Sequence, residues 1–159
     1  ARLDTARQRI SMDIGFGDVV TPAPQALTFP ALIDTVPQAE IMAYSLETVV
    51  AEKFHAMIAL SLANSRMKDF FDVYQLFANH IIDRELLSEA IVCTFKNRNT
   101  PYRANLMLFS DKFATDTTRN ALWKAFLKKI RWKERLEFSV VMKCIKENLQ
   151  EYWSEAILG

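Results

Sequence analysis

The spacing of apolar residues changes once along this chain, at Ser45. Before Ser45 the chain carries four of its five prolines, at positions 22, 24, 30 and 37, and proline excludes a helix interior there. After Ser45, apolar residues recur every three or four positions, as they do in helices that pack on a core. The pattern predicts an α+β, predominantly helical protein, with an extended, Pro-rich crossing segment in residues 1–44 and a helical domain in residues 45–159.

The helical region divides into five predicted helices. Ser45 is the expected N-cap of the first helix and Asp83 that of the third. The first two helices are expected to pack as a hairpin. The stretch between the third and fourth helices is expected to be irregular, and a short strand is expected at residues 39–43. The predicted helical ranges are residues 45–62, 66–79, 83–96, 117–130 and 138–158.

Residues 10–16 alternate between apolar and polar side chains, which predicts a half-buried strand. Asp13 belongs to the polar face, and Gly15 on the same face leaves space beside its carboxylate. Glycine in a strand usually marks a close approach by backbone or by a ligand. Asp18 follows Gly17 at the end of this strand, where a turn or capping role is as reasonable as metal binding.

Composition limits the class of protein. The chain has 159 residues, of which 50% are hydrophobic and 25% charged, and its net charge is +1, as in ordinary globular proteins. This charge argues against nucleic-acid binding by bulk electrostatics, although it allows a local basic patch. No apolar run approaches the roughly 20 residues of a membrane span, and no secretion signal opens the sequence. We expect a cytoplasmic protein without a membrane partner.

Cysteine and histidine side chains indicate no metal centre of their own. Cys93 and Cys144 stand far apart, without further ligands at zinc spacing, and are expected to be buried free thiols in a reducing compartment. His55 is expected to be a core or hairpin residue. His80 falls at a predicted helix terminus, where an imidazolium suits the helix dipole.

A group of acidic and basic residues recurs on the first two predicted helices. Lys53 lies on the first helix, and the segment RMKDFFD places Arg66 and Lys68 just before Asp69 and Asp72 on the second. Phosphoryl and nucleotidyl transfer use such mixtures, because carboxylates hold magnesium while lysine and arginine balance phosphate charge. The alternative for Lys68 and Asp72 is an ordinary surface ion pair at i, i+4.

The segment KKIRWKER, residues 128–135, places basic residues around Trp132. One interpretation is a phosphate-contacting patch with a ring for base stacking. The other is a solvated helix end, with Glu134 among the bases. The sequence leaves both open.

Two long segments resemble a known family. MDIGFGD, followed by YSLETVVAEKFHAMIALSLANSRMKDFFDVYQL, closely resembles the AbiEii/AbiGii toxins. These are nucleotidyltransferase-like proteins of bacterial type IV toxin–antitoxin and abortive-infection (phage-defence) systems. The likeness runs through residues 9–78, and LFSDKFATDTTRNALWKAFLKK resembles the helical tail of the family.

The resemblance implies the C-terminal part of a polymerase-beta-like nucleotidyltransferase core followed by a helical bundle, with residues 1–44 as a remnant of the nucleotidyltransferase sheet. It also implies magnesium-dependent transfer of a nucleoside monophosphate from a nucleoside triphosphate to RNA, with tRNA as the obvious acceptor. The partner would be an antitoxin encoded alongside, which acts on transcription without a stable complex.

The resemblance also assigns residues. Asp13 matches the third carboxylate of the family's metal site. Lys53 matches the catalytic lysine, which contacts the triphosphate, and Asp69 matches an acid that orients this lysine or acts as a base. The accompanying residues are Arg66 and Lys68 for nucleotide binding, with Asp18 and Asp72 as lesser candidates.

One departure from the family pattern bears on activity. The Gly-Ser turn and Asp-x-Asp pair that bind the metals should precede Asp13 by tens of residues, and only twelve residues precede it here. We therefore expect this chain by itself not to transfer a nucleotide. Either it is a fragment of a normal toxin, or it is a degenerate homologue whose helices bind RNA or a protein. A purely structural adaptor would leave Asp13 unexplained.

Overall fold

The structure is a computed structural model in which two short pairs of antiparallel strands precede six α-helices among the residues it describes. The predicted strand at residues 10–16, with Asp13 and Asp18, lies outside these residues. The fold is α+β and predominantly helical, as predicted. The described residues are 2–3, 6–7, 9, 12, 20–31, 33–60, 66–104 and 106–154.

The strands form two separate pairs. β1 (Arg2–Leu3) pairs with β2 (Ala6–Arg7), and β3 (Gln25–Phe29) pairs antiparallel with β4 (Ala39–Ala43). The strand expected at residues 39–43 is therefore confirmed. The Pro-rich segment is extended, but it is not a crossing connection. It contains β3, after which the chain turns back so that β3 and β4 form an antiparallel pair. Prolines at the ends of a strand permit this, since no ladder hydrogen bond inside the strand is lost.

All five predicted helices are present. The sixth, α4, is a five-residue helix in the stretch that was expected to be irregular, just after a 3-10 turn at Met107–Phe109. The last helix ends at Leu149 and continues as a 3-10 turn at Gln150–Tyr152, so the predicted helix is too long, and residues 155–158 of that prediction lie outside the described residues. The helices are α1 (Leu46–Leu60), α2 (Met67–Asn79), α3 (Arg84–Asn97), α4 (Asp111–Thr115), α5 (Thr117–Lys129) and α6 (Phe138–Leu149).

Side-chain caps fix where these helices begin. The hydroxyl oxygen of Ser45 accepts from the backbone N–H of Thr48 at 3.1 Å, and the carboxylate of Asp83 accepts from two backbone N–H groups at the start of α3. Both N-caps are confirmed. Each cap satisfies donors that a helix leaves unpaired in its first turn. His80 follows the last residue of α2, as expected for a helix terminus.

An aromatic core holds α1 in place. α1 packs against α2 and α3, and α2 packs against α6. Phe54 of α1 contacts Phe95 of α3 with ring centroids 5.5 Å apart, and Phe70 of α2 contacts Phe138 of α6 at 5.4 Å. All four rings are almost fully buried, and burying such side chains is worth about 2–3 kcal/mol each. Buried rings therefore hold α1 against α3 and α2 against α6.

Three apolar residues of the helical region lie at the edge of the core. Leu60, Ile130 and Val140 are exposed, because they lie at helix ends or on an outer helix face. Cys93 and Cys144 are free thiols, as predicted, but they are only half-buried. Among the described residues, no helix is long and apolar enough to cross a membrane.

Candidate functional site

One lysine on α1 contacts two carboxylates on α2. Nζ of Lys53 lies 3.1 Å from Oδ1 of Asp69 and 2.6 Å from Oδ2 of Asp72. Residues three apart on a helix project from neighbouring faces, so a single ammonium group reaches both. These contacts bridge the first turns of α2 to the middle of α1.

Asp69 is the buried member of this cluster, with 3% of its side chain exposed. Nε of Arg66 lies 2.9 Å from Oδ2. This contact is an ion pair without a directed hydrogen bond, since Oδ2 accepts none from the described residues. Buried polar atoms are normally satisfied. Oδ2 of Asp69 is therefore buried and balanced in charge by Arg66.

Asp72 accepts from two lysines. Lys68 Nζ lies 2.5 Å from the same Oδ2 atom that Lys53 contacts. Burial by itself would raise the pKa of Asp72, but the hydrogen bonds from Lys53 and Lys68 outweigh it and hold that pKa below its ordinary value. The surface pair of Lys68 and Asp72 is present, yet it is part of a larger cluster. Asp72 stays ionised at neutral pH.

The described residues do not by themselves fit a magnesium site. A divalent cation needs several oxygen ligands, and no group of three acidic, cysteine or histidine side chains in the described part of the chain could hold one. Asp69 and Asp72 are each already paired with cations. Asp13, the predicted metal ligand, lies outside the described residues.

The cluster opens onto a cavity of about 480 Å³. This volume falls within the range of small-molecule sites. The cavity lies along α1, between the start of α2 and the end of α3. Its charged lining consists of Lys53, Arg66, Arg98, Glu52 and Asp69, and its apolar wall includes Val49 and Ala56. The lining has three basic and two acidic side chains, and each basic side chain is paired with a carboxylate.

His55 and Arg98 form part of the cavity wall beyond Lys53. Nε2 of His55 lies 2.8 Å from Oγ1 of Thr100, and Arg98 donates to Glu52 at 3.3 Å. Burial lowers the pKa of His55, Glu52 raises it, and Arg98 lowers it, with a net decrease. His55 is thus half-buried and lines the cavity, so it is not a fully buried core residue.

Sequence reasoning missed Arg98. It caps the C-terminal end of α3, and no pattern of spacing connects it to Lys53, which lies 45 positions earlier. Of the predicted site residues, the structure brings five together. These are Lys53, Arg66, Lys68, Asp69 and Asp72.

Lysine and arginine at the wall of a cavity of this size are side chains that can contact phosphate groups. The chain also matches a family model described as "Nucleotidyl transferase AbiEii toxin, Type IV TA system" over residues 1–151. It therefore belongs to the AbiEii family, as the resemblance indicated, and is a nucleotidyltransferase-like type IV toxin. No curated protein and no solved structure matched this chain.

Proposed function

We propose that this protein takes part in the transfer of a nucleoside monophosphate from a nucleoside triphosphate to an RNA acceptor. The single observation that supports this most directly is the position of Lys53. Its Nζ lies within 3.1 Å of two carboxylates at the wall of a cavity of about 480 Å³. Transfer of this kind depends on positioning and on neutralising phosphate charge.

In this proposal, Asp69 and Asp72 are positioning residues. Each holds Nζ of Lys53 from one side, so that the ammonium group keeps one location while a triphosphate binds. Arg66 lines the same cavity and adds a second cation for the phosphates. Charged donors fixed before the ligand arrives stabilise developing negative charge better than donors that must reorganise.

In this proposal, Oδ2 of Asp69 has a separate role, as a base. It accepts no hydrogen bond from the described residues, and Asp69 lines the cavity. Because this oxygen is buried and lies 2.9 Å from Nε of Arg66, a role as a base requires the exposed Arg66 side chain to swing aside for a hydroxyl group of the acceptor. Asp69 then orients Lys53 through Oδ1 and acts as a base through Oδ2, which joins the two roles that the resemblance implies.

The role of magnesium, the action of the antitoxin and the cellular compartment are proposed from family membership. The metal would neutralise the triphosphate, with Asp13 as its expected protein ligand and Asp18 as a second candidate. The antitoxin is proposed to act on transcription without a stable complex, in the cytoplasm, as part of a phage-defence system. A nucleotide and an antitoxin are the partners that family membership implies.

Calorimetric titration with magnesium and each of the four nucleoside triphosphates tests the proposal. We expect micromolar binding of at least one triphosphate, which Lys53→Ala abolishes. Lys143→Ala on α6 is the matched control, because it removes an exposed lysine outside the cavity. Binding that survives Lys53→Ala, or no binding of any triphosphate, contradicts the proposed nucleotide site. The second result would favour the alternative of an RNA- or protein-binding helical module.

A further inference from the structure

Positive charge is concentrated at one end of α5. Residues 124–135, here called the basic end of α5, contain six basic residues and one acidic residue, a net of +5 in a chain whose net charge is +1. Concentrated charge of this kind marks an electrostatic binding surface. Its basic side chains are all exposed, and they are Lys124, Lys128, Lys129, Arg131, Lys133 and Arg135.

Intramolecular ion pairs do not account for this surface. Among the described residues, Arg135 alone of the six is paired, with Glu137 at 2.8 Å. Lys128 and Lys129 fall in the last turn of α5, where cations complement the helix dipole. Arg131 and Lys133 lie beyond the helix end, so the dipole does not explain them. The surface therefore keeps charge available for a partner.

The backbone at Arg131 supplies an independent observation. Arg131 has φ of 56°, and its N–H donates to Lys128 while that of Trp132 donates to Leu127. This is a Schellman motif, whose left-handed position strongly favours glycine and also accepts asparagine. Asn99 occupies the equivalent position after α3. Arginine here is less stable than glycine, and an outlier of this kind points to a function.

Trp132 joins the basic end of α5 to the helix that carries the site. Its ring packs edge-on against Phe71 of α2, with centroids 5.0 Å apart, and its indole nitrogen is buried. The hypothesis of a free stacking ring was therefore wrong, and Trp132 is an anchor instead. Phe71 directly precedes Asp72, so the basic end contacts the same turn of α2 as the Lys53 cluster, from an adjoining face of the helix.

We infer that the basic end of α5 binds the phosphate backbone of RNA and holds it beside the Lys53 cluster. That the bound RNA is the acceptor of the reaction rests on the proposed function. The assignment of the binding surface rests on its charge and geometry. An RNA backbone presents repeated phosphates, which match exposed cations along residues 124–135. A lipid surface needs a broad apolar face beside the cations, and Ile130 is the only large apolar side chain exposed in this range.

The first test measures RNA binding without any triphosphate. The probe is a labelled RNA hairpin with a single-stranded 3′ end, and fluorescence anisotropy gives Kd at several salt concentrations. We expect the double variant Lys128→Gln/Lys129→Gln to raise Kd roughly tenfold and to flatten its salt dependence. The control Lys96→Gln/Lys112→Gln removes the same charge from exposed positions elsewhere and should leave Kd nearly unchanged.

The second test separates binding from folding. We expect Arg131→Gly to raise Tm, because glycine suits the left-handed position, and to raise Kd for RNA about threefold through loss of one phosphate contact. Asn99→Gly repeats the backbone change after α3 without changing charge, and it should leave RNA affinity unchanged. If Arg131→Gly is more stable and yet binds RNA more weakly, unfolding cannot be the cause of the weaker binding.

Two results would overturn the inference. One is an equal loss of RNA affinity in both double variants, which would indicate only net charge. The other is binding to vesicles of phosphatidylserine but not to the RNA hairpin. Lys53→Ala distinguishes this inference from the proposed function, because it should abolish triphosphate binding and leave RNA affinity intact.

Discussion

Nζ of Lys53 lies 3.1 Å from Oδ1 of Asp69, although the two residues are sixteen positions apart and belong to different helices. A fifth of the Lys53 side chain is exposed, whereas Asp69 is almost fully buried. The pair joins a cation at a cavity wall to a carboxylate inside the protein. Because an unpaired buried charge is costly, the presence of each partner makes the other tolerable.

Replacing one partner of this pair should therefore destabilise the protein more than replacing both partners. We expect Asp69→Asn to lower the free energy of unfolding by about 2 kcal/mol, since a charged hydrogen bond is lost while Lys53 remains. Lys53→Met should cost about as much, and the two losses should not add. Urea unfolding of both single variants and the double variant gives the coupling energy, which we expect to be about 1–3 kcal/mol. A coupling near zero would show that the contact carries no stability.

Asp72 should make stability depend on acid pH. Its folded-state pKa is below the ordinary value, because the hydrogen bonds from Lys53 and Lys68 outweigh the effect of burial. The unfolded state therefore binds a proton first as pH falls. The stabilisation is complete above the ordinary pKa of 3.8 and is lost as pH falls through the lower folded-state pKa. Asp72→Asn should show a shallower fall in unfolding free energy over this range, and parallel curves would refute the assignment.

His55 should also make stability depend on pH, at higher pH than Asp72. Stability should again fall as pH decreases. Burial lowers its pKa in the folded state, with Glu52 and Arg98 as the facing charges. Below the ordinary pKa of 6.5, the unfolded chain is protonated while the folded chain stays neutral, so stability falls as pH decreases. His55→Gln, which can still bond to Thr100, should remove this component. Thermal melts of both proteins across the interval below pH 6.5 provide the measurement.

Glu47 connects the starts of α1 and α3. It is buried, and its Oε1 accepts from the backbone N–H of Asp83 at 3.1 Å. Glu47→Ala leaves that donor without its partner and should cost about 1–3 kcal/mol of unfolding free energy. Glu47→Gln retains an acceptor oxygen and should cost less. If chemical denaturation gave equal losses for the two variants, negative charge rather than the hydrogen bond would be the stabilising feature.

Features set by a few neighbouring residues were predictable. Ser45 and Asp83 cap their helices through bonds to residues two or three positions away, so local sequence carries the signal. α4 was missed because five residues are too few to show a helical period. Arg98 joins the cavity only because α3 ends beside α1, which is a tertiary relationship.

The charged cluster also depends on tertiary packing, which the sequence alone does not reveal. The spacing of Lys68 and Asp72 allowed an ordinary surface ion pair at i, i+4, but it gave no sign that Lys53 joins this pair. That Lys53 reaches the same oxygen of Asp72 depends on how α1 and α2 pack. Family resemblance connected Lys53 with Asp69, whereas the contact of Lys53 with Asp72, nineteen positions away, was not predicted.

The position of α1 has a consequence for motion. Lys53 and His55 line the cavity, while Phe54 between them is fully buried among rings of other helices. A backbone shift at the cavity must therefore disturb the aromatic core. Amide hydrogens around Phe54 should exchange with solvent as slowly as those released only by global unfolding. The site is accordingly preorganised, and a ligand should meet a wall that does not change shape when it binds.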